Sequence, residues 1–198
     1  MKSFINDISD EFGKADPAIA KEIEETWREH SSVLIPKLGN FKGHLCEAVH
    51  YERLRKVEGF EVTKHPNGQK ESPDIEIKFG DKKFWVEDKN CSSTSYSRIK
   101  EGKVSLRNYK HSYRNSGVDN NTANLYYERP ETPGIEYILA VCLFPQTKKL
   151  EWRYALYSDL PSHSKHPGRI ASALKIPIDP EPNDIWKSSI ENLIKKKS

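Results

Sequence analysis

"SPDIEIKFGDKKFWVEDKN", residues 72–90, is the stretch on which the fold turns. Gly80-Asp81 makes a two-residue hairpin loop, because glycine supplies the positive φ that the first position of a type II′ turn requires. With that loop, Ile75 faces Val86 and Ile77 faces Phe84, so two apolar pairs share one face and can enter a core. The other face carries Asp74 opposite Glu87, Glu76 opposite Trp85 and Lys78 opposite Lys83, with Lys89 two residues beyond Glu87 on the same side. Directly opposed side chains have Cβ atoms roughly 4.5–5.5 Å apart, where like charges destabilise the pair. A divalent cation between Asp74 and Glu87 removes that repulsion. Mg²⁺ takes oxygen ligands, commonly one or two carboxylates together with substrate phosphate. The alternative is a solvated sheet face whose acids and lysines hold nothing. A loop one residue longer would shift the register and dissolve the arrangement.

Working outward, "KGHLCEAVHYERLRKVEG" predicts a helix from about residue 42 to 57, ended by Gly59. Cys46, Val49, His50, Leu54 and Val57 fall on one face at helical spacing, and Glu47 lies roughly 20° from Leu54, at the margin of that face. From there it either reaches inward to a site at the sheet edge or is a plain surface glutamate. "FEVTKH" follows as a first strand and "PNGQKESP" as a loop. A further helix is expected over residues 16–30, where Asp16 caps, Pro17 suits the first turn, and Ile19, Ile23 and Trp27 recur. Downstream of the hairpin a long polar stretch, helical in its early part, gives way to the loop "NSGVDNNTAN". "IEYILAVCLF" (135–144) reads as a buried strand, "LEWRYALYSDL" (150–160) as its neighbour, and "PQTK" as the turn between them. A last helix is expected at about 183–195. This order predicts an α/β (α+β) chain with a central mixed β-sheet flanked by helices.

The 198 residues fit one domain with a real core, and no apolar run approaches the roughly 20 residues a membrane-spanning helix needs. The start, "MKSFINDISDEF", carries acids where a signal peptide would be apolar, so a cytoplasmic product is expected. Cys46, Cys91 and Cys142 lack zinc spacing and read as reduced thiols. The net charge of +3 permits nucleic-acid binding without arguing for it.

Pro73-Asp74 at the start of one strand, followed by "FWVEDK" with Glu87 and Lys89, resembles the PD-(D/E)XK nuclease superfamily, which includes many type II restriction endonucleases. The helix carrying Glu47, ahead of Gly59-Phe60, is similar to the helix that often brings that family a further acid. The resemblance spans roughly residues 40–90, and each of its pieces alone is common. It implies a restriction endonuclease-like core at about 40–160, with DNA-recognition elements at about 91–130 and 160–198 of a single nuclease domain. It further implies that Asp74, Glu87 and Glu47 bind Mg²⁺ and that Asp74, Glu87, Lys89 and Glu47 are catalytic, Lys89 standing beside the attacking water. Glu76 and Asp88 are secondary: Glu76 shares the face of Asp74, and Asp88 points towards the core margin.

The partner that follows is double-stranded DNA rather than a small molecule or a membrane, read by a homodimer if the target is palindromic. Arg98, Lys100, Lys103, Arg107, Asn108, Lys110 and Arg114, interleaved with tyrosines and serine, suit phosphate and base contacts. The plainer reading of that stretch is a solvated basic helix. "SHSKHPGR" (162–169) and the terminal lysines are further phosphate contacts. A repair nuclease or Holliday junction resolvase of the same superfamily, an RNA nuclease and a non-catalytic DNA-binding module are the alternatives.

Overall fold

The computed structural model describes residues 18, 21–22, 25–26, 41–65, 73–90, 99–107, 132–147 and 149–195. The expected helix over 16–30 lies largely outside them, although residues 18, 21–22 and 25–26 are helical. Arg98, Asn108, Lys110 and Arg114 lie outside the described residues, as do Cys91 and the last three residues.

The hairpin sets the frame. Strands β2 (Ile75–Phe79) and β3 (Lys82–Asn90) pair antiparallel with Ile75 opposite Val86, Glu76 opposite Trp85, Ile77 opposite Phe84 and Lys78 opposite Lys83. This is the register expected from the sequence. Gly80 has φ +59°, while Asp81 keeps a negative φ, as a type II′ loop requires. Ile75, Ile77, Phe84 and Val86 are fully buried. Strand β1 (Glu61–Lys64) pairs antiparallel with β2.

Helix α1 (Phe41–Arg55) buries Leu45, Cys46, Ala48, Val49, His50 and Leu54. Past its end Gly59 turns the chain at φ +83°. A Cβ there would stand 3.0 Å from the Phe79 ring, so both the backbone angle and the close approach favour glycine.

Strand β5 (Ile135–Cys142) runs parallel to β3 and antiparallel to β6 (Trp152–Leu156), completing the order β1-β2-β3-β5-β6. One helical turn, α2 (Phe144–Thr147), stands where "PQTK" suggested a turn. The apolar run in β5 has a simple cause: both faces of the strand are covered. Ile138, Ala140 and Cys142 join the core under α1 and the short C-terminal helix α3 (Ile190–Lys195). Leu139, Val141 and Leu143 join a second core on the opposite face.

A two-stranded ribbon, β4 (Lys103–Arg107) against β7 (Ala173–Pro177), supplies that second core with Val104, Leu106, Leu174 and Ile176. The polar stretch is expected to be helical in its early part; residues 91–98 of it lie outside the described residues, and the expectation is corrected at residues 103–107, which form a strand. In residues 103–107 the apolar Val104 and Leu106 stand two apart and are both buried, the spacing of one strand face, while Lys103 and Arg107 at the ends are exposed. The C-terminal helix is shorter than expected, beginning at Ile190. The segment before it adds a bridge to the outer edge of β6, where Lys187 and Tyr154 exchange backbone hydrogen bonds of 2.8 Å. The whole is a mixed α/β fold with a central mixed sheet flanked by helices. Among the described residues no helix is long and apolar enough to cross a membrane.

Candidate active site

The C-terminal end of β3 collects the charged residues singled out in the sequence. Along this strand side chains alternate between the two faces of the main sheet. In the parallel register Asp88 lies beside Ala140, on the α1 face, while Glu87 lies beside Leu139 and Lys89 beside Val141, on the ribbon face. Asp74 sits just before β2. Its carbonyl accepts a hydrogen bond from the His65 N–H (3.2 Å), and its Oδ2 accepts one from the Asp88 N–H (2.8 Å). Lys89 Nζ donates to Glu87 Oε1, and both side chains are partly exposed.

Glu47 does come inward from α1, and only 8% of it is exposed. Its Oε2 lies 3.5 Å from His44 Nδ1, and its Oε1 lies 3.1 Å from Lys64 Nζ at the end of β1. That second contact lacks hydrogen-bonding geometry, so Glu47 Oε1 is buried without a hydrogen bond.

Electrostatics ties these residues together. The Asp74 carboxyl is pushed up to about 8, first by burial and then by the charges of Glu87, Glu47 and Asp88, with Lys89 opposing. An acid in such company is short of positive charge. Among the described residues, however, no group of three or more His, Cys, Asp and Glu side chains is gathered closely enough to cage a metal ion. The hard oxygen donors that are present suit a cation that keeps much of its water, as Mg²⁺ does.

Glu76 is engaged elsewhere, accepting a hydrogen bond from Trp85 Nε1 (2.9 Å) and lying 3.9 Å from His65 Nε2. Asp88 turns into the protein as expected, but its destination was not legible. There His50 Nδ1 lies 2.9 and 2.8 Å from its two carboxylate oxygens. Lys64 was also missed, because nothing in "FEVTKH" marks it as facing an acid on α1.

Of the expected DNA-contact residues, Lys100, Lys103 and Arg107 are described, and all three are exposed. Lys103 and Arg107 point outward from the ribbon. Lys175 joins them from β7, donating to Ser105 Oγ at 2.6 Å. A separate cleft bordered by Leu156, Asp159, Pro182, Asp184 and Lys187 shares no residue with the acid cluster. Its lysine is already bonded to the carbonyls of Pro182 and Asp184.

No protein-family model matches the chain, and no curated protein is significantly similar to it.

Proposed function

We propose that the protein is a Mg²⁺-dependent endonuclease of the PD-(D/E)XK kind that hydrolyses phosphodiester bonds in double-stranded DNA, in the manner of a type II restriction enzyme. The observation that carries this reading is the acid cluster at the end of β3. Asp74, with its carboxyl held near 8 by burial and by Glu87, Glu47 and Asp88, stands beside the Glu87–Lys89 pair. Mg²⁺ commonly uses only one or two carboxylates, completing its shell with water and phosphate. Asp74 and Glu87 would hold it, and Glu47, with a buried oxygen lacking a hydrogen bond, is the third acid in reach of the site. Such an ion would supply Lewis-acid polarisation of the phosphate and make water easier to deprotonate.

The chain's own residues do the rest. Lys89 holds and orients the attacking water and offsets negative charge gathering on the phosphate. Lys64, beside Glu47, adds a second positive charge near the acids. The ribbon's outer face, with Lys103, Arg107 and Lys175, supplies phosphate contacts that position the duplex. The working species is a cytoplasmic homodimer, whose twofold axis matches a palindromic target.

The test is incubation of the purified protein with phage and plasmid DNA, in Mg²⁺ and in EDTA, beside Asp74→Ala and Lys89→Ala variants. Discrete Mg²⁺-dependent fragments from the wild type, absent with both variants, are expected. Nicking or smearing without discrete fragments assigns the site to a repair or junction-cleaving nuclease. Cleavage that survives Asp74→Ala overturns the assignment of the site. Mg²⁺-independent binding with no cleavage leaves a DNA-binding module.

A further inference from the structure

Behind the acid cluster, three elements meet in a chain of buried and part-buried hydrogen bonds that the proposed chemistry does not use. His50 of α1 is 1% exposed, and its Nδ1 lies 2.9 and 2.8 Å from the two carboxylate oxygens of Asp88 on β3. Its Nε2 lies 3.1 Å from the phenol oxygen of Tyr154 on β6. The ring stacks on Trp152 at 4.8 Å with an interplanar angle of 15°. An ionised carboxylate can only accept, so Nδ1 carries the hydrogen directed at Asp88. Nε2 pairs with the Tyr154 hydroxyl, and burial keeps that phenol protonated. The chain ends at the proposed site, because the Asp88 N–H donates to Asp74 Oδ2 at 2.8 Å.

We propose that His50, Asp88 and Tyr154 form a positioning relay: Tyr154 sets the His50 ring, His50 clamps the Asp88 side chain, and the clamped Asp88 holds the Asp74 carboxylate through its backbone N–H. The same clamp fixes the strand that sends Glu87 and Lys89 to the opposite face. The relay rests on the metal-site reading given above. Packing alone does not call for it, because apolar residues of similar volume often replace a buried polar network at no cost to stability. Partners that stand behind metal ligands typically change metal affinity or activity 10–100-fold when removed. His50, Asp88 and Tyr154 touch no substrate on this account, and they act through Asp74.

The test is Mn²⁺ binding to the full chain, followed by electron paramagnetic resonance, with circular dichroism as a check of folding. Wild type is expected to bind Mn²⁺ and Asp74→Ala to lose it. Tyr154→Phe, which keeps the ring, and Asp88→Asn, which keeps the shape, are each expected to weaken binding about 10-fold. His50→Asn keeps a donor for Asp88, whereas His50→Leu fills the space better but donates nothing. The asparagine variant is expected to bind Mn²⁺ more tightly, the reverse of what a packing role gives. Wild-type affinity in Tyr154→Phe and Asp88→Asn, or His50→Leu equalling His50→Asn, overturns the relay while leaving the metal site standing. Wild type without Asp74-dependent Mn²⁺ binding overturns the metal reading and the relay together. If the His50 variants do not fold, Tyr154→Phe and Asp88→Asn decide the matter.

Discussion

On the α1 side of the main sheet, the Asp88 side chain is buried and finds a matched partner in His50, itself bonded to Tyr154. One residue to either side along β3, Glu87 and Lys89 emerge on the opposite face, partly exposed and paired with each other. Asp74 stands at the boundary, bonded to the Asp88 backbone and pressed by three neighbouring acids. Burial pushes both aspartates up; at Asp88 the His50 ring opposes that push most strongly, whereas at Asp74 burial is joined by the charges of Glu87, Glu47 and Asp88 and opposed by Lys89. The difference teaches how to tell a structural acid from a functional one. A buried acid with a donor fitted to it has its charge compensated within the fold, whereas an acid crowded by other acids has a charge that a cation would relieve.

Breaking the open side has the largest expected effect. Lys89→Ala and Glu87→Gln should each lower Mg²⁺-dependent cleavage by roughly 10²–10⁴-fold in single-turnover assays with the fold intact. Asp88→Asn, acting only through position, should cost roughly 10-fold. Equal losses from all three would erase the distinction between the two faces.

Stability should separate the two aspartates by sign. His50→Leu leaves the buried Asp88 side chain without its partner, so a loss of about 3–5 kcal/mol is expected from urea denaturation at pH 7. Asp74→Asn keeps an acceptor for the Asp88 N–H and removes one charge from the cluster. Measured in EDTA at pH 9, it should raise stability by roughly 1–3 kcal/mol. A destabilised Asp74→Asn at that pH would mean that the cluster is not short of positive charge.

Proton binding sharpens the same contrast. The folded protein holds the Asp74 proton up to about pH 8, against 3.8 for an ordinary aspartate, so the native state binds more protons than the unfolded chain across that window. Metal-free stability should therefore fall as pH rises from about 4 to 8. Mg²⁺ should flatten the fall, because a bound cation takes the place of the proton. Denaturation midpoints at pH 5 and pH 8, with EDTA and with Mg²⁺, check both statements. The smallest effect belongs to the ribbon. Replacing Lys103, Arg107 and Lys175 together by glutamine should lower the slope of log affinity against log salt for duplex DNA by about 2–3, with the fold unchanged.

The hairpin was legible because its information is local. A two-residue loop with glycine first, and apolar residues at alternate positions, leaves one register that buries Ile75, Ile77, Phe84 and Val86 together. Helix α1 and strands β5 and β6 were legible for the same reason, each declaring its period or its apolar run within a dozen residues. The ribbon was not. β4 is basic on its outer side, and its partner β7 is a short run in a proline-rich segment. Only their pairing, Ser105 against Lys175 and Leu106 against Leu174, turns each into half of a covered face.

By itself, the sequence determined that Asp74, Glu87 and Lys89 share one end of a hairpin and that Glu47 sits at the edge of a buried helix face. Tertiary structure alone decided that Glu47 is buried against Lys64 and that Asp88 closes on His50, 38 residues away in the chain. It alone brought Tyr154, 104 residues from His50, to the far side of that ring. The physical reason is one of range. Backbone periodicity and turn chemistry act over a few residues and are written locally. The desolvation of a charge, and the partner that compensates it, depend on which distant elements the packed core brings together.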